Sequence, residues 1–352
     1  MIALHLLCER GHSPSCESPV PVQDLAESRS CRGSLIARIG LVLLAAYTAG
    51  AMAQGDYPTR PMKIISPTAP GGPNDTVSRV IGQKLTEAWG QAVVIENRAG
   101  ANGLIGSEAA SRAPADGYTM LMANDTGLTM LQHAHRKLPY NPETDFRPVT
   151  LVIQSVLALV VHSSVPANSM AELIALARSK PGEISYGSGL FTPQLMVERF
   201  SAQAGIKLLH VAYKGASQSA AALLAGHVNT TLDALTSYVP HIGKGRFRIV
   251  AVTGTRRDPL LPEVPTFGEL GFEGHDSGVW LCLVVPSRTP APVVAKLNQE
   301  IVRILGLPEV RERLKGLGSE TIPSTPEYAS AFIRNESAKW AKVIQDTGIR
   351  LD

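Results

Sequence analysis

At 352 residues, with 44% hydrophobic and 18% charged residues, the chain is long enough to bury a large core, and its length favours two domains. The formal net charge of +3 and the lack of any Lys/Arg run argue against a nucleic-acid-binding protein, because such proteins carry a basic stripe. An aromatic content of 5% also leaves few side chains on which bases or sugars could stack.

The chain begins with a predicted targeting segment. Arg29, Arg32 and Arg38 precede an uncharged run over residues 39–53, which ends in the A-x-A pattern of a cleavage site. This run is shorter than the roughly 20 residues that a membrane-spanning helix needs. We therefore assign residues 1–53 to a leader and a cleavable signal peptide that ends near Ala53, and we expect the mature protein to be exported.

Strands and helices alternate through the first part of the mature chain. Strands are predicted at 63–66, 92–96 and 118–123, and helices at 75–89 and 103–113. Repeated strand–helix–strand units predict an α/β fold with a mostly parallel sheet that helices cover on both faces.

The segment between the first strand and the first helix is the most informative loop. Gly71 and Gly72 allow the backbone to approach a ligand closely, and Asn74 or Asp75 is a suitable N-cap for the helix. The first turn of such a helix presents unpaired N–H groups and a partial positive charge. The loop therefore predicts a site that holds an anion such as a carboxylate.

A second series of the same kind follows residue 148. Its strands are predicted at 157–161, 184–187, 209–211 and 230–232, and its helices at 169–179, 193–204 and 217–225. The two halves have the same plan, so we predict two sheets that face each other across a cleft. The predicted ranges are 54–153 for domain 1, 154–249 for domain 2, and 250–352 for the return to domain 1 with C-terminal helices at 292–305 and 326–347.

Polar side chains recur at the predicted strand ends, where α/β sheets bind ligands. They supply hydroxyl and amide groups from Thr68, Asn102, Asn124, Thr126, Ser188, Thr192, Tyr213, Ser217 and Thr236. For any single residue, ordinary turn chemistry is the better explanation, but their repetition at successive strand ends favours a site for a small polar ligand. Lys214 either pairs with an anionic ligand or is solvated.

Catalytic and cofactor signatures are missing. The chain has no G-x-S-x-G, no H-E-x-x-H and no G-x-x-x-x-G-K-[ST] sequence. Gly100, Gly103 and Gly106 have a spacing that loosely resembles a dinucleotide turn but lack its G-x-G core, and the histidines lack the spacing of metal ligands. We expect no catalytic residue, no cofactor and no metal. Cys282 lies in an apolar strand pattern and is expected to be buried.

Several ordered blocks of sequence carry a resemblance to a known family. They are Tyr57-Pro58-x-x-Pro61, Pro70-Gly71-Gly72-x-x-Asp75, Glu96-Asn97-Arg98-Ala99-Gly100-Ala101-Asn102-Gly103, Ala113-Pro114-Ala115-Asp116-Gly117-Tyr118-Thr119, Tyr213-Lys214-Gly215-Ala216 and Leu261-Pro262-Glu263-Val264-Pro265-Thr266. From Tyr57 to its C-terminus the chain resembles the extracytoplasmic solute receptors of the tripartite tricarboxylate transporter family, the Bug proteins.

The resemblance implies a two-domain periplasmic binding protein, type II-like, with the ligand cleft between the domains. Ala69, Gly71 and Gly72 would cradle a ligand carboxylate, and Asp75 would order their loop. With the polar strand ends, the expected ligand-binding set is Thr68, Ala69, Gly71, Gly72, Asp75, Ala101, Asn102, Gly103, Asn124, Ser188, Thr192, Tyr213, Lys214 and Asp233. Thr68 stands where the family usually has an aromatic residue.

The expected function is that of a non-enzymatic, monomeric receptor. It would capture a small organic carboxylate, close about the crossings near residues 151–157 and 249–253, and deliver the ligand to the permease subunits of a tripartite tricarboxylate transporter. One alternative is a receptor that presents its ligand to a two-component sensor kinase. Another is a secreted α/β enzyme that acts on a carboxylate, with Asp75 or Asp233 as acid–base group.

Overall fold

The computed structural model describes residues 57–276 and 278–351, so the predicted leader and signal peptide lie outside the described residues. In chain order the strands are β1 (Met62–Ser66), β2 (Val93–Asn97), β3 (Thr119–Asn124), β4 (Phe146–Ser155), β5 (Leu157–His162), β6 (Ser185–Ser188), β7 (Leu209–Ala212), β8 (Thr230–Ala234), β9 (Phe247–Val252), β10 (Val279–Pro286) and β11 (Glu320–Thr321).

The helices include all the predicted ones and two shorter ones, the third and the eighth, that were not predicted. They are α1 (Pro73–Trp89), α2 (Leu104–Ser111), α3 (Leu131–Ala134), α4 (Met170–Ser179), α5 (Phe191–Ala204), α6 (Ala216–Leu224), α7 (Ala291–Gly306), α8 (Pro308–Lys315) and α9 (Pro326–Thr347). A π-helical turn, Thr126–Met130, leads into α3. None of the helices in the described residues is both long enough and apolar enough to span a bilayer.

Two sheets organise these elements. The first has six strands in the order β11-β4-β10-β3-β1-β2, and the second has five in the order β7-β6-β8-β5-β9. We call the first sheet with its helices the first lobe, and the second sheet with its helices the second lobe. The predicted α/β class, with two helix-flanked sheets, is confirmed.

We expected mostly parallel sheets, but both sheets are mixed, with parallel and antiparallel pairs. Strands joined through helices are parallel, as in β2-β1-β3 and β7-β6-β8. The strands next to the crossings between the lobes pair antiparallel: β10 with β3 and β4, and β5 with β8 and β9. A chain that enters a sheet from the other lobe has no crossover helix to keep its direction parallel.

The start of α1 differs from the predicted one. Its N-cap is Gly72, with Pro73 in the first turn, so the N-cap role predicted for Asn74 or Asp75 was wrong. The side chain of Asn74 instead donates to the Met122 carbonyl at 2.9 Å, which ties the helix start to β3. The backbone N–H groups of the first turn therefore have no side-chain cap.

Apolar clusters cover the sheets, and one helix takes part in two of them. Ala329 and Ile333 in the first half of α9 pack in a cluster with strands of the first sheet. Trp340 and Ile344 in its second half pack in the main cluster of the second lobe. Cys282 in β10 has no exposed surface, as predicted, and burial raises the pKa of its thiol.

Candidate functional site

The loop between β1 and α1 is ordered by one carboxylate. Asp75 accepts hydrogen bonds from the backbone N–H of Gly71 at 2.9 Å, from Asn97 Nδ2 at 3.0 Å and from Arg79 Nε at 3.0 Å. Burial acts to raise the pKa of Asp75, but the bonds from Arg79, Gly71 and Asn97 outweigh it, and the pKa is lowered. Gly71 has a φ of +82°, a conformation that side-chain-bearing residues rarely adopt. Asp75 therefore stays ionised and holds the loop in shape.

A small cavity lies between the lobes. The first lobe lines it with Thr68, Pro73, Asn74, Asn124, Asp125, Val279 and Leu281, and the second with Leu190, Pro193, Ala216, Asp233 and Ala234. Its volume of about 20 Å³ is enough for one water molecule. The lobes are therefore closed on each other in this conformation.

Three helix N-termini meet at this cavity. Pro73 opens α1, Ala216 opens α6, and Leu190 is the N-cap of α5. Gly189 allows the N-termini of α5 and α6 to lie close together, because a Cβ at this position would lie 2.3 Å from the backbone nitrogen of Ala216. Each terminus contributes unpaired N–H groups and partial positive charge, which together favour an anion.

Two of the buried polar groups at the cavity wall have no hydrogen-bond partner. Thr68 Oγ1 and Asn124 Nδ2 both belong to residues that line the cavity, and these residues are only 3% and 2% exposed. Asn124 Oδ1 accepts from the Gly127 N–H at 2.8 Å, so the free end of this amide is the NH₂ donor. Buried polar groups are normally paired, so these two donors indicate a site for a hydrogen-bond acceptor.

Asp125 connects the lobes through a buried hydroxyl chain. Its Oδ2 accepts from Thr192 Oγ1 at 2.8 Å, and its Oδ1 accepts from the Thr126 N–H at 2.8 Å. The hydroxyls of Thr126 and Thr192 lie 2.9 Å apart. Burial raises the pKa of Asp125 to about 7, and the nearby Glu336 carboxylate adds to the rise while the hydrogen bonds oppose it.

Asp233 is the second buried carboxyl group at the cavity. It lies near the end of β8, is 1% exposed, and accepts the Gly189 N–H at 3.1 Å through Oδ2. Burial raises its pKa to about 7. The described residues that line the cavity include no Lys, Arg or His, so neither Asp233 nor Asp125 faces a cation there.

The predicted cradle is partly engaged by the second lobe. The Ala69 N–H donates to the Lys214 carbonyl at 3.1 Å, and Ser217 Oγ donates to the Pro70 carbonyl at 3.0 Å. Lys214 thus reaches the site with its backbone, while its side chain is exposed. These bonds fix the first-lobe loop against the start of α6.

The structure brings three of the predicted ligand-binding residues into the cavity wall, namely Thr68, Asn124 and Asp233. Other predicted residues lie around it in supporting positions. Gly103 lies against the Asn124 amide, Ser188 Oγ is 2.8 Å from His210 Nε2, and Tyr213 packs beside Gly187. Ala101 and Asn102 form a short 3₁₀ turn with positive φ angles of 46° and 56°.

Sequence reasoning missed several wall residues. Asp125 and Asn74 are adjacent in sequence to predicted site residues, and the polar run at the end of β3 was the signal for Asp125. Val279 and Leu281 come from β10, which is remote in sequence and apolar. Nothing in their local sequence distinguishes them from core residues.

Comparisons with known proteins agree on one family. The family described as "Tripartite tricarboxylate transporter family receptor" matches residues 77–349. Protein BugT of Bordetella pertussis is 32% identical over 324 residues, which cover 90% of this chain and 98% of BugT.

Two solved structures, both of proteins from Rhodopseudomonas palustris, are similar to this chain over most of its length. An R. palustris protein solved with adipate has a TM-score of 0.80 and 33% identity, covering 84% of this chain and 99% of that chain. MatC from Rhodopseudomonas palustris, solved with bound malate, has a TM-score of 0.78 and 28% identity, covering 82% of this chain and all 100% of MatC.

Proposed function

The chain belongs to the tripartite tricarboxylate transporter receptor family, and we propose that it captures a small organic carboxylate in the periplasm and delivers it to the membrane subunits of such a transporter. The observation that carries this proposal is the donor set at the cavity. Three helix N-termini and the unpartnered donors of Thr68 and Asn124 surround a space without a cationic side chain. Such a set holds a carboxylate by hydrogen bonds alone.

Ligand entry requires the lobes to separate. A cavity of about 20 Å³ accommodates one water molecule and is too small for a dicarboxylate such as malate. The single residue Val156 separates β4 in the first sheet from β5 in the second, and the chain returns to the first sheet with β10. These crossings are the natural hinge for opening and closing.

We further propose that the ligand leaves chemically unchanged. Three donors already engage Asp75 and lower its pKa against the effect of burial, which makes it a weak proton acceptor and unsuited to act as a general base. Incubation of each bound acid with the protein, followed by recovery and mass spectrometry, should return the acid intact. A product that accumulates with time, and faster at higher protein concentration, would favour the alternative hypothesis of a secreted enzyme.

A thermal-shift screen of small carboxylic acids tests the binding function. The panel includes malate and adipate, which are bound in the two similar structures. A true ligand at 100 times its dissociation constant should stabilise the protein by about 2.7 kcal/mol. The proposal fails if no mono-, di- or tricarboxylate stabilises the protein and none co-purifies with it.

Asn124→Asp is the sharpest variant for this screen. An aspartate can still accept the Gly127 N–H, but it replaces the free NH₂ donor by a carboxylate oxygen, so ligand affinity should fall at least a hundredfold. Asn141→Asp is the matched control, because exposed Asn141 also accepts backbone N–H groups, from Glu143 and Thr144, and lies outside the cavity wall. Equal affinity loss in both variants would contradict the proposed site.

A further inference from the structure

Asp233 presents a physical conflict with the binding of an anion. It is a carboxyl group, it is 1% exposed, and it lines the same cavity as the three helix N-termini. Its Oδ2 accepts the Gly189 N–H, and the Ser219 hydroxyl lies close enough to oppose the larger effect of burial on its pKa. A carboxylate ligand in this cavity would lie beside a second buried negative charge, which is unfavourable in a medium of low dielectric constant.

The negative charge of Asp125 conflicts less with a bound anion than that of Asp233. Both of its oxygens accept hydrogen bonds within the protein, from Thr126 and Thr192. Asp233 is therefore the carboxyl group with more capacity for a further hydrogen bond.

The ionisable side chains on the elements packed against β8 are engaged elsewhere. On β5, His162 Nδ1 is 2.7 Å from Ser164 Oγ. On β6, Tyr186 donates to Glu198 of α5 at 2.6 Å. The guanidinium of Arg199, also on α5, packs on Gly274.

The remaining ionisable groups near Asp233 are not cations. α6 carries no ionisable residue. Burial raises the pKa of the Tyr238 phenol, the nearby Asp233 charge adds to the rise, and the Tyr238 hydroxyl pairs with Thr231. From the first lobe, Asp125 lines the same cavity. No cation among these described residues can balance Asp233 when an anion is bound.

We propose that capture of a carboxylate ligand is coupled to the uptake of one proton from solvent, which Asp233 carries and shares with the ligand carboxylate. The inference rests on the proposed function and concerns the same cleft. The proton adds an O–H bond to one Asp233 oxygen, and that group donates to a ligand oxygen while the other Asp233 oxygen keeps the Gly189 N–H. The conflict between two anions then becomes a hydrogen bond between an acid and a carboxylate.

The protonation of Asp233 differs between the open and the closed protein. In an open cleft its carboxyl group is hydrated and has an ordinary pKa of about 3.9. In the closed structure burial raises this pKa to about 7, and a neighbouring ligand anion raises it further. Between these two pKa values the bound state holds one proton more than the free state, so affinity must fall as the pH rises.

Titration calorimetry with malate, adipate and the other acids of the panel tests the proposal directly. The measurements use the mature protein at pH 6, 7 and 8, where aliphatic carboxylates are ionised, in two buffers with different heats of protonation. We expect Asp233 to take up close to one proton per ligand near pH 7, in addition to the uptake by Asp125 on closure. Through Asp233 the dissociation constant should rise by up to about tenfold per pH unit until the pH passes the bound-state pKa of this group.

Asp233→Asn supplies the matched variant. Its amide oxygen can accept the Gly189 N–H and its NH₂ group can donate to the ligand without a proton from solvent, so binding should persist while proton uptake near pH 7 falls by close to one per ligand. Any uptake that remains belongs to Asp125, whose pKa is also raised by burial between the lobes. Asp125→Asn should retain the proton that Asp233 takes up. The calorimetry on the unmodified protein decides the question even if a variant does not fold.

The outcomes separate this proposal from the function on which it rests. Binding of ionised acids without proton uptake, or uptake that is as large in Asp233→Asn as in the parent, overturns the coupling and leaves the receptor function standing. Binding restricted to acids that carry an ammonium group, without proton uptake, also overturns it, because a ligand cation would then balance Asp233. If no carboxylate binds at any pH, both proposals fail.

Discussion

Replacing Thr192 by Val tests the buried hydroxyl chain that joins the lobes. Thr192 has no exposed surface, and Val has nearly the same shape without the hydroxyl. A hydroxyl has one proton, so if Thr192 donates to Asp125 Oδ2 it must accept from the Thr126 hydroxyl. The substitution therefore affects two buried groups at once.

The expected cost follows from what each group loses. Asp125 keeps the Thr126 N–H but loses its other donor, and the Thr126 hydroxyl loses Thr192 as its acceptor. A buried polar group left without its partner costs about 1–3 kcal/mol. We expect the free energy of unfolding to fall by about 3 kcal/mol, with most of the loss retained if one group recruits water.

Urea unfolding at pH 7, followed by circular dichroism, measures this difference. Thr192→Ser is the matched control, because it keeps the hydroxyl and should lose only about 1 kcal/mol for its missing methyl group. Adding Thr126→Val to Thr192→Val should cost little more, since the orphaned donor is then gone. If Thr192→Val is as stable as Thr192→Ser, the hydroxyl chain contributes nothing and this reasoning is refuted.

Three further outcomes are expected. Asp75→Ala should lower the free energy of unfolding by about 2 kcal/mol, because three donors lose their acceptor. The Arg79 side chain is 55% exposed, so Arg79→Ala should cost less than about 1 kcal/mol. Equal losses in the two variants would mean that the ion pair alone stabilises the loop. Burial in the closed conformation raises the pKa values of Asp125 and Asp233 above the unfolded value, so the closed protein binds more protons than the unfolded chain. With the lobes held closed by a saturating ligand, the free energy of unfolding should fall by up to about 1.4 kcal/mol per carboxyl group per pH unit as the pH rises from 4 to 7. Urea midpoints that fall over this range as steeply in Asp233→Asn as in the parent would contradict the assignment. Burial raises the pKa of the Cys282 thiol, so a thiol reagent should modify it only in denaturant, and rapid modification of the native protein would show that β10 opens.

The alternation of strands and helices was predictable because each βαβ unit is local in sequence. The helix predicted at 326–347 has the observed bounds, and the helix predicted at 75–89 begins two residues earlier, at Pro73. The shift at that end has a physical reason. Asn74 and Asp75 are good N-caps by residue type, but Asn74 instead donates to the distant Met122 carbonyl, and Asp75 accepts the N–H of Gly71 in the preceding loop.

The composition of the cavity was less predictable, because it depends on contacts between distant segments. The sequence indicated that Thr68 and Asn124 follow strands, but not that their donors are left without partners. The raised pKa of Asp125 arises from burial against α5, which begins 66 residues later. Similarly, β10 pairs with β3 only through the return of the chain from the second lobe.

The packing of α9 constrains how this protein can move. A helix of 22 residues is a rod about 33 Å long, and here its two halves are buried in the cores of different lobes, with Ile333 at 7% and Trp340 at 4% exposure. Pulling the lobes straight apart would strip one of these halves of its apolar contacts. A rotation of the lobes about the axis of α9 costs less free energy, because both halves of the helix keep their apolar contacts. Opening of the cleft for ligand exchange is then described by the angle between the lobes rather than by their separation. The packing of α9 in both cores limits how large this angle can become.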